Sequence, residues 1–151
     1  MKKILEKHPK IKSRDVTTSD LKIVGEAAQE LYRICFEPIG LYPGAMAMAH
    51  VQIEDNDPLR FFVLKCGAII INPKIIGLFD MKKSQEGCMS FPNRKSINVS
   101  RYGSIDVEYI EGKVGYKIDM NNEKRERING KLSFIFQHEI GHFDLNLIFK
   151  K

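Results

Sequence analysis

The run His138-Glu139-Ile140-Gly141-His142, an HExxH, constrains this chain more than any other stretch. On a helix, side chains four positions apart project from one face. Both imidazoles can then reach one divalent ion while Glu139 stands beside the ion's open side. The apolar residues Leu132, Ile135, Phe136, Ile140 and Phe143 around the motif favour a helix packed into a core. Two histidines and a glutamate carried inward on it would be costly without partners. The competing account is a pair of surface histidines flanking an ordinary acid. Asn129 is suited to cap this helix, which the pattern runs from residue 130 to about residue 145.

A centre of this kind needs a third protein ligand. HExxH metalloproteases usually add a downstream His or Glu, but neither residue type follows His142. Asp144 lies two positions on and points to a different side of the helix. The ligand is therefore expected upstream, and Cys88 is the best candidate. It sits in Glu86-Gly87-Cys88-Met89-Ser90, with a glycine that lets the chain approach closely. A thiolate with two imidazoles is a known three-ligand set that leaves a fourth position open. The competing account of Cys88 is a buried free thiol. Of the three cysteines, Cys35 lies on an apolar helical stripe and reads as packing, and Cys66 falls between two apolar runs. None sits in a CxxC, which fits reduced cysteines in a cytoplasmic protein.

The rest of the chain must house that helix. At 151 residues it reads as one domain, 1–151, long enough to bury ~70% of its unfolded surface without staples. No apolar run approaches the ~20 residues of a membrane helix. The N-terminal lysines are not followed by the apolar stretch of a signal peptide, so no membrane association is expected. The net charge of +5, from 24 basic and 19 acidic residues, is too small a bias to make nucleic acid the leading partner.

Residues 1–18 are charged, lack periodicity and are expected to wrap the surface. Ser19 or Asp20 can cap a helix whose stripe is Leu21, Val24, Ala27, Leu31, Ile34 and Cys35, ending near Glu37-Pro38. Residues 41–53 are rich in small side chains and suit a backbone held close to a ligand. Residues 61–65 and 68–71 read as buried strands, with Asn72-Pro73 ending the second, and residues 75–80 as another short strand. Residues 97–109 and 113–120 alternate and are expected to pair across a turn at Glu111-Gly112. Residues 121–127 extend a loop or begin the last helix. Strands grouped between two helices indicate an α+β fold.

Taken together, EGCMS and QHEIGH resemble the second and third motifs of the peptide deformylases, which read EGCLS and QHExDH. The first family motif, GxGLAAxQ, has a degraded counterpart in Pro43 to His50, PGAMAMAH, followed by Val51-Gln52-Ile53. Ile71-Asn72-Pro73 and Val99-Ser100-Arg101 also resemble family segments, so the likeness extends over about residues 20–149. It implies an α+β fold in which antiparallel β-sheets pack around a central HExxH helix. It implies hydrolysis of the N-formyl group from polypeptides that begin with formylmethionine. The implied cofactor is one divalent ion per chain, Fe(II), with Zn, Ni or Co able to take the same place. The implied partners are formylmethionyl peptides and the ribosome surface, with the enzyme itself a cytoplasmic monomer.

In that reading Cys88, His138 and His142 are ligands. Glu139 is the general base and then the acid for the leaving amine. The Met89 backbone N–H and a side-chain donor meet the oxyanion. Gly44 and Ala45, with Met46, are placed to pair with the substrate backbone. Phe134 and Ile135 are placed to line the methionine pocket, or else are plain core. Arg101 matches a family arginine that would anchor Glu86 or the cysteine loop, or else is a plain surface arginine. The chain also departs from the family. The glutamine that donates to the formyl oxygen falls on His50, which has one N–H when neutral, so its tautomer matters; protonation would supply a second donor. The first two glycines of the motif fall on Pro43 and Ala45, and the aspartate of QHExDH is Gly141. The chain stops soon after the metal helix, as in short, phage-like or divergent members. These departures leave open a metal-binding relative with an altered amide substrate or weak catalysis.

Overall fold

The computed structural model of the chain describes residues 11–36, 46–54, 56–86 and 95–144. A strap of extended backbone, residues 11–17, leads through a single 3-10 turn, Thr18–Asp20, into helix α1, Leu21–Phe36. Val24, Ala28, Leu31 and Cys35 are buried on one face of α1 at helical spacing. Leu21 and Ala27, expected in that stripe, lie at its half-buried margin. Asp20 starts the helix, but by reaching back. Its carboxylate accepts the Thr17 N–H at 2.8 Å and the Thr17 hydroxyl at 3.0 Å, which satisfies a donor ahead of the first turn.

Among the described residues, five strands follow in a single antiparallel sheet whose order is the order of the chain: β1 Ala47–Ala49, β2 Phe61–Leu64, β3 Ala68–Glu86, β4 Ile97–Lys113 and β5 Glu123–Asn129. Where the helices pack, the sheet is covered on both faces, and strand alternation divides its residues. Phe61, Val63, Ile69 and Ile71 face α1 in one apolar core. Phe62, Ile70, Ile105, Val107 and Ile128 form a second core with Phe136 and Phe143 of helix α2, Lys131–Phe143. Each fully buried side chain of this size contributes roughly 1.5–3 kcal/mol.

Two expected boundaries are absent. Asn72-Pro73 does not end a strand: β3 runs on to Glu86 and includes the segment expected as a separate strand. The register shifts between Ile71 and Lys74, so Pro73 sits in a bulge where its missing N–H breaks no ladder. Asn72 takes the left-handed conformation there, φ 51°, which its short polar side chain tolerates. Glu111-Gly112 is not a turn either, because β4 passes through it, pairing Gly112 with Ile69 and Glu111 with Ile70. The partner of β4 on its other side is β5, in the stretch expected to be loop or helix, and residues 114–120 form turns and irregular backbone instead. The β5 sequence EKRERIN carries little apolar signal because only Ile128 is buried. Cross-strand pairs Arg127–Asp106 at 2.8 Å and Arg125–Glu108 at 3.2 Å run along it. Charge on an edge strand discourages pairing with other chains.

The residue before α2 is Gly130, φ 66° and ψ −143°, a conformation open to glycine rather than to Asn129. Asn129 remains in β5 and accepts the Ser104 hydroxyl at 2.6 Å.

Candidate metal centre and active site

Helix α2 lies against β1, β4 and β5. Phe136 anchors it, edge-on to Phe62 at 5.1 Å and to Tyr109 at 5.7 Å. Gln137 fixes its rotation. Its amide oxygen accepts the Tyr102 N–H at 2.8 Å, and its amide nitrogen donates to the Tyr102 carbonyl at 2.7 Å. One side chain thereby completes a backbone-like pairing with β4.

That docking brings His138 and His142 together, their Nε2 atoms 3.2 Å apart. One potential ligand atom from each of His138, Glu139 and His142 lies within 4.8 Å of the others. Glu86, the last residue of β3, accepts from His138 Nδ1 at 2.8 Å. Arg101 of β4 grips the same carboxylate with two bonds, Nε to Oε2 at 2.9 Å and Nη2 to Oε1 at 2.8 Å. Burial disfavours the Glu86 charge, but the bonds from His138 and Arg101 outweigh it and hold the carboxyl at about 2. An ionised Glu86 fixes the His138 proton on Nδ1 and leaves the Nε2 lone pair for an ion.

Burial, the main cause, holds the His142 imidazole well below its ordinary range, and the neighbouring His138 and Arg101 add to this. A neutral ring is the form that ligates. Burial pushes the Glu139 carboxyl up to about 7, tempered by the adjacent His138. Glu139 is 4% exposed, and its Oε2 has no hydrogen-bond partner among the described residues. Two converging imidazole nitrogens beside a carboxylate oxygen that still needs a donor fit a divalent ion carrying water. Cys35 does not join this group. Burial first, and the Glu139 charge second, push its thiol up to about 12, so it packs as a neutral side chain.

A family model described as polypeptide deformylase matches residues 12–151. The chain belongs to the polypeptide deformylase family. Its members are metal-dependent hydrolases that take the N-formyl group from N-terminal formylmethionine. A peptide deformylase of Endomicrobium trichonymphae is 27% identical over 144 residues, which is 92% of this chain and 78% of that protein. One of Thermus thermophilus is 33% identical over 101 residues, 65% of this chain but only 47% of its own length. The solved Plasmodium falciparum peptide deformylase, in complex with an inhibitor, superimposes with a TM-score of 0.74 at 27% identity, covering 96% of this chain and 85% of its own.

Of the deformylase positions expected from sequence, His138, Glu139 and His142 gather at one point. Cys88, Met89, Gly44 and Ala45 lie outside the described residues. Phe134 and Ile135 are half-buried, unlike Phe136 and Phe143. His50 begins the 3-10 turn after β1, is 2% exposed and stacks on Phe61 with ring centroids 4.9 Å apart. Its Nδ1 accepts the Leu59 N–H at 3.0 Å. An accepting nitrogen carries no hydrogen, so the ring's hydrogen is on Nε2. Protonation would cost the Leu59 bond, so the expected second donor is not available without breaking it. Sequence reasoning noted Arg101 and Glu86 but missed the Glu86–His138 bond, and it gave Gln137 no role. The signal for both was the spacing of Glu86 before Cys88 and of Gln137 before His138.

Proposed function

We propose that this chain deformylates N-formylmethionyl peptides with His138, His142 and Cys88 as the metal ligands and Glu139 as the proton carrier. The observation that carries the reading is the convergence of the two Nε2 atoms beside the unpartnered Glu139 oxygen. When bound, the ion supplies Lewis acidity and lowers the pKa of water from 15.7 to about 7. Glu139 takes the proton of the attacking water at its carboxylate and returns it to the leaving amine. Glu86 and Arg101 hold the His138 ring in the ligating tautomer throughout. His50, through Nε2–H, stands in for the family glutamine as donor to the formyl oxygen, beside the Met89 backbone N–H. Phe134 and Ile135 line the methionine pocket, and Gly44 and Ala45 pair with the peptide backbone.

Fe(II) is the proposed physiological ion, since a mixed thiolate–imidazole set accepts several divalent metals and availability decides among them. The proposed setting is the cytoplasm, as a monomer working on nascent chains at the ribosome surface. Among the described residues, no helix is long and apolar enough to cross a membrane.

The test is an anaerobic assay of Fe(II)-loaded protein on formyl-Met-Ala-Ser beside its acetyl counterpart. Release of formate alone is the expected result. Cleavage of both amides would mark a broader amidohydrolase. Tight binding without turnover would mark a relative that has lost catalysis at the His50 position.

A further inference from the structure

The strap that precedes α1 bonds both to the end of α2 and to the segment whose Leu59 amide holds His50. Ser13 N–H donates to the Phe143 carbonyl at 2.9 Å, on the last turn of α2, one residue past His142. Arg14 N–H donates to the Pro58 carbonyl at 3.0 Å, and the Arg14 carbonyl accepts the Arg60 N–H at 2.8 Å. Those two bonds bracket Leu59, which pairs with Arg14 in a parallel bridge. The Leu59 N–H is the one given to His50 Nδ1.

Side chains repeat the pattern. The Arg14 guanidinium forks onto Asp57 at 2.8 and 2.9 Å, and onto Asp20 at 2.9 and 3.0 Å. Arg60 bridges Asp15 of the strap at 3.3 Å and Asp144 beyond α2 at 3.1 Å, and it covers the Phe143 ring at 5.1 Å. Asn72 clamps Val16 by accepting its N–H at 2.7 Å and donating to its carbonyl at 2.9 Å.

We propose that residues 13–16 are a positioning element for the active site. By fixing residues 58–60 they hold His50 in its Nε2–H form. By holding the Phe143 carbonyl they fix the end of α2 that carries His142. The inference rests on the reading of His50 as a donor. The two neutral tautomers of an imidazole differ little by themselves, so a single directed N–H selects between them. That N–H selects reliably only if its own backbone cannot swing, and the strap supplies the restraint on both sides of Leu59. Arg14 matters most, because its fork ties the loop at Asp57 to the helix start at Asp20.

The test compares full-length native protein with Arg14→Ala, Asp57→Asn and His50→Ala, each checked for folding by thermal melting. In the zinc-loaded proteins, long-range proton–nitrogen NMR correlations read the hydrogen position on the His50 ring. The native ring should show a protonated Nε2 and an unprotonated Nδ1. In Arg14→Ala the two nitrogen signals should move towards each other as the tautomers mix, and the Leu59 amide should exchange faster. kcat should fall on the order of tenfold with KM little changed, as for a misaligned group. Asp57→Asn should shift the same signals less, and it serves if Arg14→Ala does not fold. A native ring protonated on Nδ1 overturns the proposal. So do ring signals that stay native in every folded strap variant, whatever happens to kcat. If the signals move while His50→Ala keeps the native kcat, the strap's hold on the ring stands and the donor role of His50 falls.

Discussion

Replacing Glu86 by Gln keeps the side chain's size and removes its charge, which makes it the sharpest test of how the centre is held. The Glu86 and Arg101 side chains are 10% and 14% exposed, so the change leaves a buried guanidinium without its counter-ion. Breaking one half of a buried pair costs about 3–5 kcal/mol. A second route gives a similar figure. The carboxyl is lowered from 4.5 to about 2, and at 1.36 kcal/mol per unit this amounts to about 3 kcal/mol. Because the folded value is depressed, that stability is fully present above about 4.5 and is lost as pH falls through about 2. Urea unfolding of metal-stripped native, Glu86→Gln, Arg101→Ala and double-variant proteins separates folding from ion binding. At pH 7 each single variant should lose about 3 kcal/mol, with the double variant far from additive. The native curve should fall more steeply than the Glu86→Gln curve as pH is lowered from 5. Metal affinity should drop about 10–100-fold, since His138 loses the charged acceptor that holds its tautomer and strengthens it as a ligand. A loss under about 1 kcal/mol at pH 7, or parallel pH profiles, would refute the reasoning.

Other outcomes follow from the same geometry. Cys88→Ser should weaken metal binding strongly, because a hydroxyl ligates poorly at neutral pH; full occupancy by elemental analysis would remove Cys88 from the ligand set. Glu139→Ala should keep the metal yet lose turnover by about 10²-fold or more, and loss of the metal instead would make Glu139 a ligand. His50→Ala should cost about 2.7–4 kcal/mol of transition-state stabilisation, read from kcat/KM, while His50→Gln restores or improves activity. With Nδ1 committed to Leu59, native protein should show no acid-side gain over His50→Gln, and such a gain would argue that the ring takes up a second proton productively.

The parts of this molecule that were legible in its sequence are those whose signal is local. The α1 stripe, the HExxH helix and the first apolar strand runs follow from spacing and side-chain type. What escaped depends on partners distant in the chain. Asn72-Pro73 reads as a break, yet it is a bulge because Val16 supplies the bonds that hold Asn72. EKRERIN reads as loop or as the start of the last helix, yet it pairs as an edge strand because Asp106 and Glu108 face its arginines. Glu86 and His138 are widely separated in sequence, and the docking of α2 on β4, through Phe136 and through Gln137 on Tyr102, brings them to 2.8 Å. His50 could be identified as a departure from the family, but its tautomer follows from the Leu59 amide.

The alternation of β2 has a consequence for how such an enzyme can diverge. Phe61 touches the His50 ring from one face of the sheet, and Phe62 touches Phe136 of the metal helix from the other. Two adjacent codons therefore address the His50 ring and the HExxH helix separately. A conservative change at Phe61 alters the seating of the imidazole while leaving α2 in place, and one at Phe62 does the reverse. Selection for a new amide substrate has a short route through this strand, in which the proposed donor and the HExxH helix are adjusted one substitution at a time.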